Sequence, residues 1–287
     1  MLQQALNRHS QIVIAPETKF FFSFVGCSRK CQVNQVQRIN ADLQIDLPFP
    51  DKKIATARDA RAVYNDMALQ YVQRVGRSST VYFGDKTPEQ TGRIMRMRWL
   101  FPDAKFIFIY RDGRDVALSL CKVPWMDNNL YVNFMIWLYY HRIFMRAKKE
   151  NRLGVYFVKY EDVVTNPAPE LRRILTFLGL PYESAVADGY GNSEGIPLRE
   201  YAWKSRALEK ITDNRIGIWR RELSATQIRC LEALGGKALQ SLGYEITNND
   251  REGLSIVFRV KLFLNGLRLL YRLPWQALAA EMVETCF

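Results

Sequence analysis

The chain is predicted to be an α/β protein, a parallel sheet flanked by helices, and three observations predict it. Four short apolar runs have the length of strands: Ile12 to Ala15, Val81 to Gly84, Phe106 to Tyr110 and Val155 to Tyr160. Longer segments with apolar residues at helical spacing lie between and after them, and strands alternating with helices imply a sheet covered on both faces. Three of the four runs also finish in chemically loaded turns: Pro16-Glu17-Thr18, Asp85-Lys86-Thr87-Pro88 and Arg111-Asp112-Gly113-Arg114-Asp115. In such sheets ligands gather at the carboxyl ends of the strands.

The elements follow in order. Leu2 to Leu6 has helical spacing and leads into the Ile12 to Ala15 strand. Ala55 to Val75 reads as a helix before Val81 to Gly84, and Pro88 to Leu100 as a helix after it. The Phe106 to Tyr110 strand is followed by helical spacing from Val116 to Leu120 and onward, then from Leu130 to Lys149. After the last strand comes Pro167 to Leu178. All four runs read as buried strands. Residues Ser184 to Arg215 are rich in turn formers and read as a long loop or lid. From Ser255 to Leu273 apolar residues recur at helical spacing with Arg259, Lys261, Arg268 and Arg272 among them, an amphipathic helix that either packs on the domain or touches a membrane surface.

Composition bounds the partners. Of 287 residues, 41 are Lys or Arg and 29 Asp or Glu, so the net charge of +12 points to an anionic partner, and 48% apolar residues exclude a disordered polycation. Nucleic-acid binding would rest on charge alone and is not assigned. Cys27, Cys31, Cys121, Cys230 and Cys286 form no metal or redox motif and leave one thiol unmatched, which favours a reducing, cytoplasmic setting. His9 and His141 stand far apart, so no metal site is assigned. No leader opens the chain and no stretch of about 18 uncharged apolar residues occurs.

Arg111 stands where a strand delivers a guanidinium to the sheet edge. Its planar fork of donors suits phosphate, and Ser119 on the following helix can add a hydroxyl to the same oxygens. The other reading of this turn is a helix-capping ion pair between Arg111 and Asp115.

The segment from Phe101-Pro102-Asp103 through Arg111-Asp112-Gly113-Arg114-Asp115 to Ser119 closely resembles the 3′-phosphate-binding segment of sulfotransferases that use 3′-phosphoadenosine-5′-phosphosulfate (PAPS). The resemblance continues in Val158-Lys159-Tyr160-Glu161-Asp162-Val163, Asn166-Pro167, Phe177-Leu178-Gly179-Leu180-Pro181-Tyr182 and Trp219-Arg220-Arg221-Glu222-Leu223, and its motifs come nearest to the tyrosylprotein-type and bacterial branches. It implies the P-loop-NTPase-like sulfotransferase fold, PAPS as co-substrate without a metal, and a hydroxyl or amine acceptor such as a tyrosyl or sugar group. Carried over residue by residue, Arg111 and Ser119 hold the 3′-phosphate. Lys86, in a turn like the family's Lys-containing turn, is the transition-state stabiliser, the alternative being a solvated lysine. Glu17 resembles the glutamate used as general base, the alternative being a helix cap or an ion pair with Lys19. Tyr160 matches a tyrosine near the cofactor, the alternative being a core aromatic at a strand end. His141, inside an aromatic helical segment, is a structural residue and a poor base.

The family's first strand and the glycine-rich 5′-phosphosulfate loop are not found. The chain starts just past them, which is read as a misassigned or truncated start that leaves sheet edges unpaired and the cofactor poorly bound. A rival placement of the loop at Val25 to Lys30 is disfavoured by its flanks. The expected organisation is an N-terminally incomplete sulfotransferase domain over residues 1–246 and an amphipathic helical extension over 247–287. The alternative function is a noncatalytic descendant that keeps the fold as a basic binding module.

Overall fold

The computed structural model describes residues 1–21, 27–124, 126–150, 154–188 and 213–247. In chain order the elements are α1 (Leu2–Leu6), β1 (Ile12–Ala15), α2 (Arg29–Leu43), α3 (Ala57–Arg74), β2 (Tyr82–Asp85), a 3-10 segment Pro88–Arg93, α4 (Ile94–Leu100), β3 (Phe106–Tyr110) and α5 (Gly113–Leu120). Then follow α6 (Leu130–Glu150), β4 (Val155–Lys159), α7 (Tyr160–Thr165), α8 (Pro167–Leu178), a 3-10 turn Ser184–Val186, α9 (Trp219–Glu222) and α10 (Ala225–Ser241). The expected α/β architecture is present. β1 and β2 pair in parallel, with Ile12 opposite Tyr82 and Ala15 opposite Asp85, and β3 pairs with β4.

The chain forms two compact units, one from Met1–Phe106 with Asn166–Ile211, the other from Ile107–Thr165 with Thr212–Phe287. In the first unit, α3 turns Ala60, Tyr64, Met67 and Tyr71 inward, and α2 turns Val36, Ile39 and Leu43 inward. Spacings of three and four residues put each set on one helix face, which closes over Val13 and Ala15 of β1. Phe20 and Phe21, just past β1, pack on the Tyr64 ring at 5.2 and 5.0 Å between centroids. The returning segment belongs to the same unit: Tyr82 Oη donates to Leu178 O at 2.7 Å, and His9 Nε2 meets Pro181 O at 2.9 Å. In the second unit, Phe134, Trp137 and Phe144 of α6 pack with Ala117 of α5, Trp219 of α9 and Leu231 and Leu239 of α10.

Local chemistry sets the helix ends. Ser28 caps α2 by accepting from Cys31 N, Thr56 caps α3 by accepting from Asp59 N, and Ser224 with Gln227 forms a capping box on α10. Pro167 opens α8, and Gly179 closes it at φ 77°, a left-handed position that suits a residue without Cβ.

The structure corrects the sequence reading at several points. The second strand runs from Tyr82 to Asp85, one residue later than expected, and Val81 is exposed. β2 and most of β3 and β4 are half-buried rather than buried, and Ile109 of β3 is exposed. Among the described residues the strands form two two-stranded ladders, so each strand has one hydrogen-bonded neighbour and the cover that a central strand receives is incomplete. Tyr160 does not end the last strand; it is the first residue of α7. The first half of Pro88 to Leu100 is a 3-10 segment. Helices α2, α7, α9 and α10 were not foreseen. No helix among the described residues is long and apolar enough to cross a membrane. Most of the expected lid, residues 189–212, and the expected helix from Ser255 to Leu273 lie outside the described residues, as do Val25 and Gly26 of the rival loop.

Candidate active site

Two side-chain clusters stand at strand ends, one in each unit. In the first unit the parallel register decides the geometry. Because Ala15 is opposite Asp85, the turn after β1 and the turn after β2 emerge side by side at the carboxyl ends of their strands. Lys86 Nζ there lies 2.5 Å from Glu17 Oε1, with the lysine side chain 43% exposed and the glutamate 16%. The expected acid–base and electrophilic residues are therefore brought together as one ion pair. None of the described helices has Glu17 as its N-cap, and Lys86 is paired rather than only solvated. Such a pair offers a carboxylate able to take a proton from a hydroxyl and an ammonium able to stabilise anionic oxygen.

The turn carrying Glu17 is held from two sides. Arg38 of α2 donates through Nη1 to Glu17 O at 3.3 Å and through Nη2 to Thr18 O. Asp85 accepts from the Thr18 and Thr87 hydroxyls and from Gln90 Nε2. Desolvation raises the Asp85 carboxyl above the ordinary aspartate range, and these side-chain donors pull it back. Sequence reading missed Arg38, which sits on an unforeseen helix, and passed over Asp85, although it lies within the quoted Asp85-Lys86-Thr87-Pro88 turn.

In the second unit Arg111 leaves the end of β3. Its Nη2 lies 3.3 Å from Asp115 Oδ2 and also donates to Arg215 O, and the guanidinium carbon stands 4.4 Å from the centre of the Tyr160 ring. The predicted Arg111–Asp115 ion pair is thus present, although the cap of α5 is Asp112, whose side chain accepts from Arg114 N. Asp115 is buried and also accepts from Gly217 N at 2.8 Å and Trp219 N at 3.0 Å; desolvation nonetheless raises its carboxyl above the ordinary range. Arg111 Nε is buried and has no hydrogen-bond partner among the described residues. An orphaned guanidinium donor beside two satisfied interactions is what an anion-binding fork would leave, so the residues present fit a phosphate. Ser119 lies one helical turn beyond Asp115 and so shares its side of α5.

The backbone of this turn is pinned. Trp137 Nε1 donates to Arg111 O at 3.1 Å, and Glu161 Oε1 accepts from Asp112 N at 3.1 Å. A Cβ on Gly113 would come within 2.4 Å of the Trp137 ring, so only glycine allows α6 this close. His141 stands elsewhere on α6, with Nε2 2.9 Å from Ser241 Oγ, and desolvation lowers its pKa.

The family model for sulfotransferases matches residues 1–184, a span that includes Glu17, Lys86, Arg111, Ser119 and Tyr160. The nodulation protein NoeE of Sinorhizobium fredii is 24% identical over 243 residues, covering 76% of this chain and 57% of that protein. A protein-tyrosine sulfotransferase of Drosophila melanogaster is 26% identical over 157 residues, covering 51% of this chain and 31% of that protein. The chain thus spans less than two thirds of the length of either relative. Among solved structures, the sulfotransferase domain from the curacin biosynthetic pathway superposes with a TM-score of 0.59 at 17% identity, over 85% of this chain and 93% of that one. The sulfotransferase domain from the Synechococcus PCC 7002 olefin synthase gives 0.58 at 17% identity, over 85% and 90%. The shared fold and a family match over most of the chain lead to one assignment: this chain belongs to the sulfotransferase family.

Proposed function

We propose that the protein moves a sulfuryl group from PAPS to a hydroxyl or amine acceptor. The observation that carries the reading is the Glu17–Lys86 pair, 2.5 Å apart at the carboxyl ends of adjacent parallel strands, inside the segment that the family model matches. PAPS supplies an activated sulfuryl group on a phosphate leaving group. Glu17 takes the proton from the acceptor as its oxygen bonds to sulfur and the bond from sulfur to the bridging phosphate oxygen breaks. Lys86 offsets the negative charge that collects on the departing oxygen. Arg111 holds the 3′-phosphate through its guanidinium fork, with Ser119 adding a hydroxyl and Tyr160 supporting the guanidinium plane. A tyrosyl hydroxyl is one acceptor class, by analogy with the name of the Drosophila relative. Residues 1–246 would carry the reaction, with 247–287 as an extension.

The test is a titration with adenosine 3′,5′-bisphosphate followed by transfer of labelled sulfate to a panel of hydroxyl acceptors. Glu17→Gln and Lys86→Ala are each expected to slow transfer by about 10²- to 10⁴-fold while bisphosphate binding is retained. Binding without transfer by the unsubstituted chain would favour the noncatalytic alternative. Transfer undiminished by either substitution would remove these two residues from the reaction.

A further inference from the structure

The hydrogen bonds around Asp85 have a fixed direction. Lys19 N donates to Thr87 Oγ1 at 3.3 Å, and Phe20 N donates to Thr18 Oγ1 at 3.1 Å. Each hydroxyl, having accepted a backbone N–H, spends its single proton on Asp85: Thr18 on Oδ2, and Thr87 on Oδ1 at 2.9 Å. Gln90 Nε2 adds a third donor at 3.3 Å. Only a group that accepts at both oxygens completes such a network, and an ionised carboxylate does so where an amide of the same shape cannot.

What the network restrains is the stretch directly after Glu17. Lys19 adopts φ 53°, a left-handed conformation uncommon outside glycine, and a residue stays there only when its surroundings dictate it. Its surroundings do: the Lys19 and Phe20 amides are tied to Asp85 through the hydroxyls, while Arg38 takes the Glu17 and Thr18 carbonyls from the other side.

We propose that Asp85 is a positioning residue which, through the Thr18 and Thr87 hydroxyls, fixes the turn bearing Glu17 and so sets the Glu17 carboxylate against Lys86. The inference rests on the reading of Glu17 and Lys86 as the catalytic pair.

The test compares the full chain with Asp85→Asn, Thr18→Val and Thr18→Ser, reading amide hydrogen exchange at Lys19 and Phe20 together with transfer kinetics. Asp85→Asn turns one acceptor into a donor facing a donor, Thr18→Val deletes a link at constant shape, and Thr18→Ser keeps the hydroxyl. Expected are exchange at both amides about tenfold faster or more in Asp85→Asn, and kcat lower by about tenfold or more with acceptor KM little changed. Thr18→Val reproduces the kcat loss with faster exchange at Phe20, and Thr18→Ser restores both. Unchanged exchange in a folded Asp85→Asn chain overturns the proposal, as does faster exchange with undiminished kcat. If Asp85→Asn does not fold, the contrast between Thr18→Val and Thr18→Ser decides. Faster exchange with no transfer by the unsubstituted chain keeps Asp85 as organiser of the turn and removes the catalytic reading of the pair.

Discussion

The Arg114 guanidinium lies face-on to the Trp219 indole, 3.6 Å from the ring centre, and almost wholly buried. Its donors are consumed on the same spot: Nε and Nη2 on Asp112 at 3.0 and 2.8 Å, Nη1 on Glu232 at 2.6 Å, and Nη2 again on Glu245 O at 2.9 Å. One cation therefore ties the N-terminus of α5 to α9 and α10. Arg111 and Arg114 stand three residues apart in one turn, yet the second is satisfied by the protein and the first keeps one donor without a partner among the described residues.

Arg114→Ala is expected to destabilise the fold by about 3 to 5 kcal/mol, because it leaves the Asp112 and Glu232 carboxylates buried without their cation. Urea unfolding followed by circular dichroism checks this. A loss below about 1 kcal/mol would mean that these carboxylates find water or a proton at little cost.

Gly113→Ala places a methyl group against the Trp137 ring, which also donates to Arg111 O. The expected loss is about 1 to 3 kcal/mol from overpacking. Adding Trp137→Leu should recover part of it by making room, so a double-mutant cycle on the melting temperature shows coupling between the two sites. Strict additivity would deny the contact.

Arg111→Ala is expected to weaken adenosine 3′,5′-bisphosphate by about 10- to 100-fold, the scale of a hydrogen bond to a charged group, while leaving adenosine 5′-monophosphate nearly unchanged. Arg111→Lys should recover only part of the loss, since an ammonium keeps the charge but lacks the planar fork that sets two parallel donors on one phosphate. Calorimetric titration of both nucleotides supplies the comparison. Equal weakening of the two would place Arg111 away from the 3′-phosphate.

Glu183 gives a pH dependence with a definite sign. Desolvation opposes its charge, but the Ser10 hydroxyl and amide, His9 and Arg77 outweigh that cost and hold the carboxyl below the ordinary glutamate range. The folded chain thus binds this proton more weakly than the unfolded chain. The contribution is complete above the unfolded pKa of about 4.3 and is lost as pH falls through the lower, folded value. Urea midpoints measured from pH 6 down to pH 3 should fall more steeply for the unsubstituted chain than for Glu183→Gln; parallel slopes would contradict this.

Much of the architecture was legible because it is written locally. The Phe106 to Tyr110 run with Arg111 after it, and Pro167 to Leu178 with Gly179 after it, carry their own period and punctuation, and both elements stand where they were read. Helix α2 was not legible. Its inward face is only Val36, Ile39 and Leu43 with the buried amide of Gln32, which exchanges hydrogen bonds with the Ile54 backbone at 2.8 and 2.9 Å. A mostly polar stretch of this kind becomes a helix through its Ser28 cap and its packing, and a search for apolar periodicity passes over it.

The sequence by itself determined which residue types stand at the strand ends, because strand, turn and helix are set by neighbours in the chain. It named Glu17, Lys86, Arg111, Ser119 and Tyr160 from short motifs. Only the tertiary structure decided what each of them meets: Lys86 reaches Glu17 across 69 residues, Arg114 reaches Glu232 across 118, and Arg38 grips a turn from a helix no motif announced. Hydrogen bonds and ion pairs are satisfied by whatever the fold brings within about 3 Å, a distance that spacing along the chain does not encode.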